Sequence, residues 1–260
     1  MNLHILRSLA VILVLSVAPG CSIKEERGDC PCRLFLDMTY VDVVDQSPVV
    51  LHVMSEDGFE YKAELNAENF NDTCVIDVPR KNLDVVLWSG GGGNLDEDGL
   101  KIPLGHDCPP VYIHASVVEA DYEAVYETVR LRKNYCILNV SFVNPEDVKA
   151  LKIRGEVAGF DVSGSPSYGE FSVSSIPDST SGLVGRFYVP RQNGAPLYLD
   201  VIETDGFVKS FPLHVYLSEF GYRWDENDLN DINILLEYTP LGVIIRLQGW
   251  GEEMVIRVVI

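Results

Sequence analysis

The sequence predicts an all-β protein, two tandem β-sandwiches behind a short N-terminal tether, and three observations point there. Apolar and polar residues alternate strictly along several stretches, as in Phe59-Glu60-Tyr61-Lys62-Ala63-Glu64-Leu65-Asn66, which buries one strand face and wets the other. Clusters rich in Gly, Pro, Asn, Asp and Ser, such as SGGGGNLDEDG from Ser89 and GSPSYGE from Gly164, separate these runs at short intervals. No segment sustains a 3.6-residue apolar period beyond a single turn around Leu217–Tyr222. Roughly a dozen or more short strands between turn signals read as sandwiches or barrels.

Taken from the N-terminus, residues 1–20 read as a lipoprotein signal peptide. Arg7 is the one formal charge, and SLAVILVLSVA (Ser8–Ala18) is an apolar run too short to span a bilayer, which needs roughly 20 residues. Ala18-Pro19-Gly20 places small residues before Cys21, as a bacterial lipobox does, although Ala18 stands where Leu or Val is usual. The expectation is that Cys21 is lipidated and becomes the first mature residue; the alternative is an ordinary secretory cut near Gly20 with Cys21 free. Residues 21–29 follow as a tether, charged and poor in large apolar side chains, hence extended and solvated. Arg27-Gly28-Asp29 spells an integrin-binding tripeptide, but it lies close to the lipid attachment rather than on a projecting loop. The tether reading is preferred.

The strands then come in order. Leu34, Leu36, Met38 and Tyr40 repeat every second residue, so about Arg33–Tyr40 is the first strand. VVLHVM (49–54), TCVIDV (73–78), LDVVLW (83–88) and VYIHASVV (111–118) follow. A second series begins with the alternation of Cys136, Leu138, Val140 and Phe142 and continues through 151–157, 185–189, 196–202 and 208–215. INILLEY (232–238), GVIIRLQ (242–248) and MVIRVVI (254–260) close the chain. The basic stretch Arg132–Asn134 is the expected joint, dividing residues 30–133 from 134–260; each half is ordinary sandwich size.

Charge narrows the partners. The chain carries 20 basic and 39 acidic residues, formally −19, and removing residues 1–20 takes away one arginine to leave −20. Such a polyanion does not hold nucleic acid or an anionic bilayer by charge, so attachment falls to the lipid. Several acyl chains, at about 0.8 kcal/mol per buried CH₂, suffice to hold it on an outer membrane.

Chemistry-bearing motifs are few. Five cysteines remain after Cys21, namely Cys30, Cys32, Cys74, Cys108 and Cys136, and outside the cytoplasm some of them are candidates for disulfides. A metal at Cys30 and Cys32 is disfavoured, because no second ligand pair has zinc-site spacing. Ser89–Gly93 lacks the Gly-Lys-Ser/Thr continuation of a phosphate loop. His106-Asp107-Cys108 places neighbours on opposite sides of an extended chain, which is not the geometry of an activated thiol. Asn94, Asp96, Asp98 and Gly99 match half of a calcium loop, and Asp225, Glu226, Asn227, Asp228 and Asp231 are as oxygen-rich; both read better as solvated turns. No catalytic residue, cofactor site or metal site is therefore expected.

A resemblance adds to this. CSIKEE from Cys21, the Asp29-Cys30-Pro31 step and RLFLDMTY resemble the start of FimB-like fimbrial anchor lipoproteins of Bacteroidales. The likeness continues through VVLHVMSEDG, DVPRKNLDVVLWSGG, YETVRLRK, YCILNVSFVN, VYLSEFGYRWDENDLNDINILLEY and IIRLQGWGEEMVIRV, spanning nearly the whole mature chain. Lys24-Glu25-Glu26 also resembles the acidic export signal found after the lipid cysteine in surface lipoproteins of Bacteroidota. The resemblance implies two transthyretin-like sandwiches and a non-enzymatic subunit that anchors a fimbria at its base, with stalk subunits as partners. It also implies strand complementation: stalk subunits lose their first strand and accept a neighbour's, whereas an anchor keeps Arg33–Tyr40 and stops growth. Met254–Ile260 is the strand best placed to be donated or to pair at an edge; an ordinary last strand is the other reading. The rival function is a surface binding module for glycan or host protein, with Tyr168, Tyr222, Trp224 and Trp250 as a platform. Trp88, Trp224 and Trp250 also fit packing positions of the family.

Overall fold

The structure, a computed structural model, describes residues 30–41, 48–66, 68–143, 148–176, 183–239, 242–249 and 252–258. Cys21, the Arg27-Gly28-Asp29 tripeptide and Trp250 lie outside the described residues. The first strands are β1 (Cys32–Asp37), β2 (Val49–Met54), β3 (Glu60–Leu65), β4 (Thr73–Val78), β5 (Asn82–Gly90), β6 (Leu95–Asp96), β7 (Gly99–Lys101), β8 (Val111–Glu119), β9 (Ala124–Thr128) and β10 (Arg132–Lys133). They are followed by β11 (Tyr135–Phe142), β12 (Val148–Asp161), β13 (Pro166–Ser175), β14 (Leu183–Pro190), β15 (Leu197–Glu203) and β16 (Val208–Phe211). A helix, α1 (Leu213–Glu219), precedes β17 (Ile232–Thr239), β18 (Gly242–Gly249) and β19 (Glu252–Val258).

The two halves repeat one topology. In the first, a sheet ordered β4-β1-β9 faces one ordered β10-β8-β5-β2-β3. In the second, β14-β11-β17-β18-β19 faces β16-β15-β12, with β13 also paired to β12. β1 pairs antiparallel with β4 and parallel with β9, and β11 does the same with β14 and β17. β2 lies antiparallel between β3 and β5, as β12 does between β13 and β15. The strands β1–β5, β8 and β9 thus correspond, in chain order, to β11–β17.

The alternation that predicted the strands is the burial pattern observed. Leu34, Leu36 and Met38 are fully buried against Leu51, Val85 and Leu87 of the facing sheet. In the second half Cys136, Leu138 and Val140 sit equally deep among Leu151, Phe187 and Ile234. Side chains of this size contribute roughly 1.5–3 kcal/mol each when fully buried.

The halves share a core at their joint. β6 and β7, a hairpin drawn from the first half of the sequence, add to the second half's sheet because β7 pairs with β12. Leu100, Trp88 and Phe160 belong to one cluster, with Trp88 edge-on to Phe160 at 6.5 Å between centroids. The close approach of β7 to β12 demands glycine: Gly99 (φ +111°) and Gly159 (φ +155°) face each other's strands. A Cβ would stand 2.2 Å from Phe160 O at the first and 1.9 Å from Leu100 O at the second.

Three expectations are corrected, and one strand is added. The glycine-rich stretch after Ser89, expected to be a loop throughout, contains the β6–β7 hairpin. GSPSYGE, expected to be a turn, largely belongs to β13, held by its ladder to β12 rather than by propensity. The strand expected over 208–215 stops at Phe211, since Pro212 lacks an N–H for the ladder, and Leu213–Glu219 turns helical. Ala124–Thr128, which no alternation argument had singled out, is the strand β9.

Candidate functional site

The candidate site is the first-strand groove of the N-terminal sandwich, together with the sheet edges open to a partner. β1 fills that groove as a central strand, its register running from Cys32 opposite Val78 to Asp37 opposite Thr73 on one side and from Arg33 to Asp37 along β9 on the other. A local turn ends it: Asp37 Oδ1 accepts bonds from the Thr39 hydroxyl at 2.5 Å and the Thr39 N–H at 3.1 Å. Those two bonds hold the Asp37 carboxyl below the usual carboxylate range. Tyr40, expected to continue the buried series, is 57% exposed because the chain has already turned; Arg130 covers its ring at 3.9 Å.

At the far end of the chain, β19 is an edge strand paired only with β18 among the described strands. Met254, Ile256 and Val258 lean on the core, while Glu253, Val255 and Arg257 face solvent. Arg246 of β18 ties the outer surface together through Glu237 at 3.4 Å and Glu253 at 3.5 Å. Residues 254–258 therefore have a place in their own sheet, with no second neighbour among the described strands.

The five described cysteines are all unpaired thiols. The ladders keep two of the candidate pairs apart. Cys32 lies opposite Val78 whereas Cys74 lies opposite Leu36, four residues along a strand, or roughly 13 Å. Cys136 pairs across to Val189, while Cys108 bonds the far side of that strand through the Tyr188 carbonyl, so β14 separates them. Two ladder spacings are about 10 Å, beyond the reach of a disulfide. Burial pushes both thiols up, that of Cys136 to about 12, the reverse of an activated thiolate.

The remaining motifs are absorbed by structure. Asp107 caps the Tyr188 N–H at 2.8 Å, and burial raises its carboxyl, leaving exposed His106 without a catalytic partner there. The half calcium loop is satisfied internally, because Lys101 Nζ sits 2.7 Å from Asp98 and 3.7 Å from Asp96. In the second acidic stretch Asp225 bonds Arg223, and Asp231 accepts from both Lys133 Nζ and the Ile137 N–H. Among the described residues no group of three or more potential ligands is arranged for a metal. Tyr222 and Trp224 are buried edge-to-face at 5.0 Å and present no platform, whereas Tyr168 is 68% exposed. Tyr168 borders an open groove of about 530 Å³ shared with Arg154, Glu156, Glu170 and Tyr198.

Two polar devices escaped sequence reasoning. Arg191, after β14, donates to the carbonyls of Trp224, Glu226, Asn227 and Lys133 and to Asn134 Oδ1, clasping the loop before β17 onto the joint between halves. In the first sandwich His114 accepts the Arg130 N–H at Nδ1, which leaves Nε2 to donate to Glu127 at 3.1 Å across the two sheets. Burial holds this imidazole below its ordinary pKa despite the facing carboxylate. Neither device has a local sequence signal, since the partners are far apart along the chain.

No protein-family model matches the chain, and no curated protein matches its sequence. Solved structures do match its fold. The fimbrial anchor protein Mfa2 from Porphyromonas gingivalis aligns at a TM-score of 0.59 and 12% identity, over 85% of this chain and 98% of its own. A candidate adhesin from Bacteroides ovatus aligns at 0.58 and 12% identity, over 87% of this chain and 96% of its own. A second, from Bacteroides thetaiotaomicron, aligns at 0.53 and 16%, over 88% and 98%. The β-sandwich fold is thus shared with the kind of protein that the sequence resemblance named.

Proposed function

We propose that this protein is a non-enzymatic subunit at the base of a fimbria, held to the outer membrane by lipid on Cys21, with its first-strand groove closed to a donor strand. The observation that carries the reading is the first strand. β1 lies between β4 and β9 with its apolar side chains buried, so the groove that a donor strand would need is already filled. The fold likeness to a fimbrial anchor supports the same role. On this reading the tether of residues 21–29 runs from the membrane straight into β1, and load on the fimbria reaches the lipid through that strand's two ladders. Residues 30–133 and 134–260 act as the two sandwiches, and a stalk subunit is the partner.

The test is deletion of the gene in a fimbriated strain. Fimbriae should become longer and accumulate in the medium, with stalk synthesis unchanged. Fimbriae of normal length that remain attached would overturn the anchoring role. A second reading, a surface module for glycan, draws on the groove beside Tyr168, where Arg154 lies 4.1 Å over the Tyr198 ring and bonds Asp200 at 2.8 Å. Glycan binding by the purified chain, lost in Tyr168→Ala, is the result that would favour it.

A further inference from the structure

We infer that the open outer edge of β9 is the docking site for an extended strand of a neighbouring fimbrial subunit, antiparallel to β9 and alternating aliphatic with basic side chains. That the strand comes from a fimbrial subunit rests on the function proposed above; the edge itself is argued from the internal repeat.

The second sandwich supplies the template. Its last repeated strand, β17, pairs parallel with β11 on one side and antiparallel with β18 on the other. β9 holds the equivalent place beside β1, yet among the described strands its other side pairs with nothing. The consequence appears in packing. Ile232 and Ile234 of β17 are at most 1% exposed under the added hairpin, whereas Val125, on the inward face of β9, is only half-buried.

The backbone on that edge is ready to pair. Arg33 N–H donates to Glu123 C=O and Val129 N–H to Asp37 C=O, so odd-numbered residues of β9 face β1. The N–H and C=O groups of Ala124, Tyr126 and Thr128 consequently point to the open side. An exposed row of unpaired main-chain groups is a template for strand addition unless something blunts it. Neither proline nor lysine occurs between residues 121 and 130, and the one inward-facing charge of β9, Glu127, is already paired with His114.

Side chains specify the occupant. β18 fits beside β17 with Val243, Ile245 and Leu247 inward and Arg246 outward against Glu237. A strand beside β9 needs the same inward aliphatic face to cover Val125. On the outer face Tyr126 is 73% exposed and stacks on Phe35 at 4.7 Å, in line with Val75, which is 52% exposed. Cations already lie over tyrosine rings in this protein, as Arg130 does on Tyr40 and Arg154 on Tyr198. Asp121 and Glu123 add negative charge at the start of β9. A lysine or arginine facing outward meets both the ring and the acidic rim.

The probe is an end-capped peptide of about eight residues alternating valine and lysine, with a blockwise peptide of the same composition as control, added to the lipid-free chain from Ser22. The alternating peptide should bind at least about tenfold more tightly than the control. Tyr126→Pro should reduce that binding by about tenfold with melting temperature little changed, since the Tyr126 N–H makes no bond to β1. Tyr126→Ala keeps the edge N–H and should bind in between. Should Tyr126→Pro not fold, photo-crosslinking from benzoylphenylalanine at position 126 to the alternating peptide decides instead. Equal binding of the two peptides, or binding untouched by Tyr126→Pro together with no crosslink, would overturn the inference. In cells, Tyr126→Pro should shed fimbriae as the deletion does. Shedding in the deletion alone sinks the edge and spares the anchor; shedding in neither sinks the anchor and leaves the peptide result to decide the edge.

Discussion

The two sandwiches are built from the same seven strands in the same order, and they differ at their edges. In the second, β18 and β19 extend the sheet beyond β17, and the Asp107–Cys108 segment bonds along β14 on the opposite side. In the first, β4 and β9 both end the three-stranded sheet. The interior follows suit: the second half contributes most of the larger core, while Cys74 and Val125 at the borders of the first remain half-buried. A repeated topology thus gives one sandwich extended by added strands and one whose three-stranded sheet ends at β4 and β9 among the described strands. Central strands carry stability, and edges carry partner choice.

The comparison can be tested where the halves should agree. Leu34 in β1 and Leu138 in β11 hold matching central positions, both fully buried. Leu34→Ala and Leu138→Ala should each lose about 2–5 kcal/mol in denaturant unfolding. A much smaller loss for Leu34→Ala would mean that β1 is not held as β11 is, and the closed groove would go with it. Next in size is a feature of the second half alone. Arg191→Ala leaves the carbonyls of Trp224, Glu226 and Asn227 without their donor and should cost about 2–4 kcal/mol. Hydrogen exchange should quicken across residues 222–231, and Arg191→Lys should recover little, since one ammonium cannot span the set.

The smallest effect belongs to the first half. His114 is depressed in the fold, chiefly by burial, so the native state prefers the neutral ring. Its contribution is present above the unfolded value of about 6.5 and is lost as pH falls through that value toward the lower folded pKa. Between about pH 7 and pH 5, hydrogen exchange should rise near β8 and β9 more than in β11 and β17. His114→Gln should flatten that difference; an unchanged pH response in the variant would remove His114 from the account.

Much of the fold was legible because strand alternation is a local signal. Leu34-x-Leu36-x-Met38 and Cys136-x-Leu138-x-Val140 state their inward faces in the residues themselves. β13 was hidden because Pro166, Gly169 and its serines are poor strand formers, and only the ladder to β12 makes them one. The β6–β7 hairpin was hidden for a related reason: its glycines admit a backbone approach to β12 from the other half of the chain. Of the candidate site, the retained first strand was readable from alternation plus resemblance. The open edge of β9 was not, since an edge is defined by what fails to pair, and Tyr126 looks the same in sequence either way.

The anchoring role proposed above is tested most directly by severing the first sandwich from its tether in place. A protease site inserted between the tether and Leu34 leaves the assembled protein intact until protease is added to fimbriated cells. The account predicts that cleavage severs the sandwich from Cys21 while β1 stays in its groove, so intact fimbriae appear in the medium still carrying the cleaved protein at one end. Complete cleavage with fimbriae remaining cell-bound at their original length would contradict it.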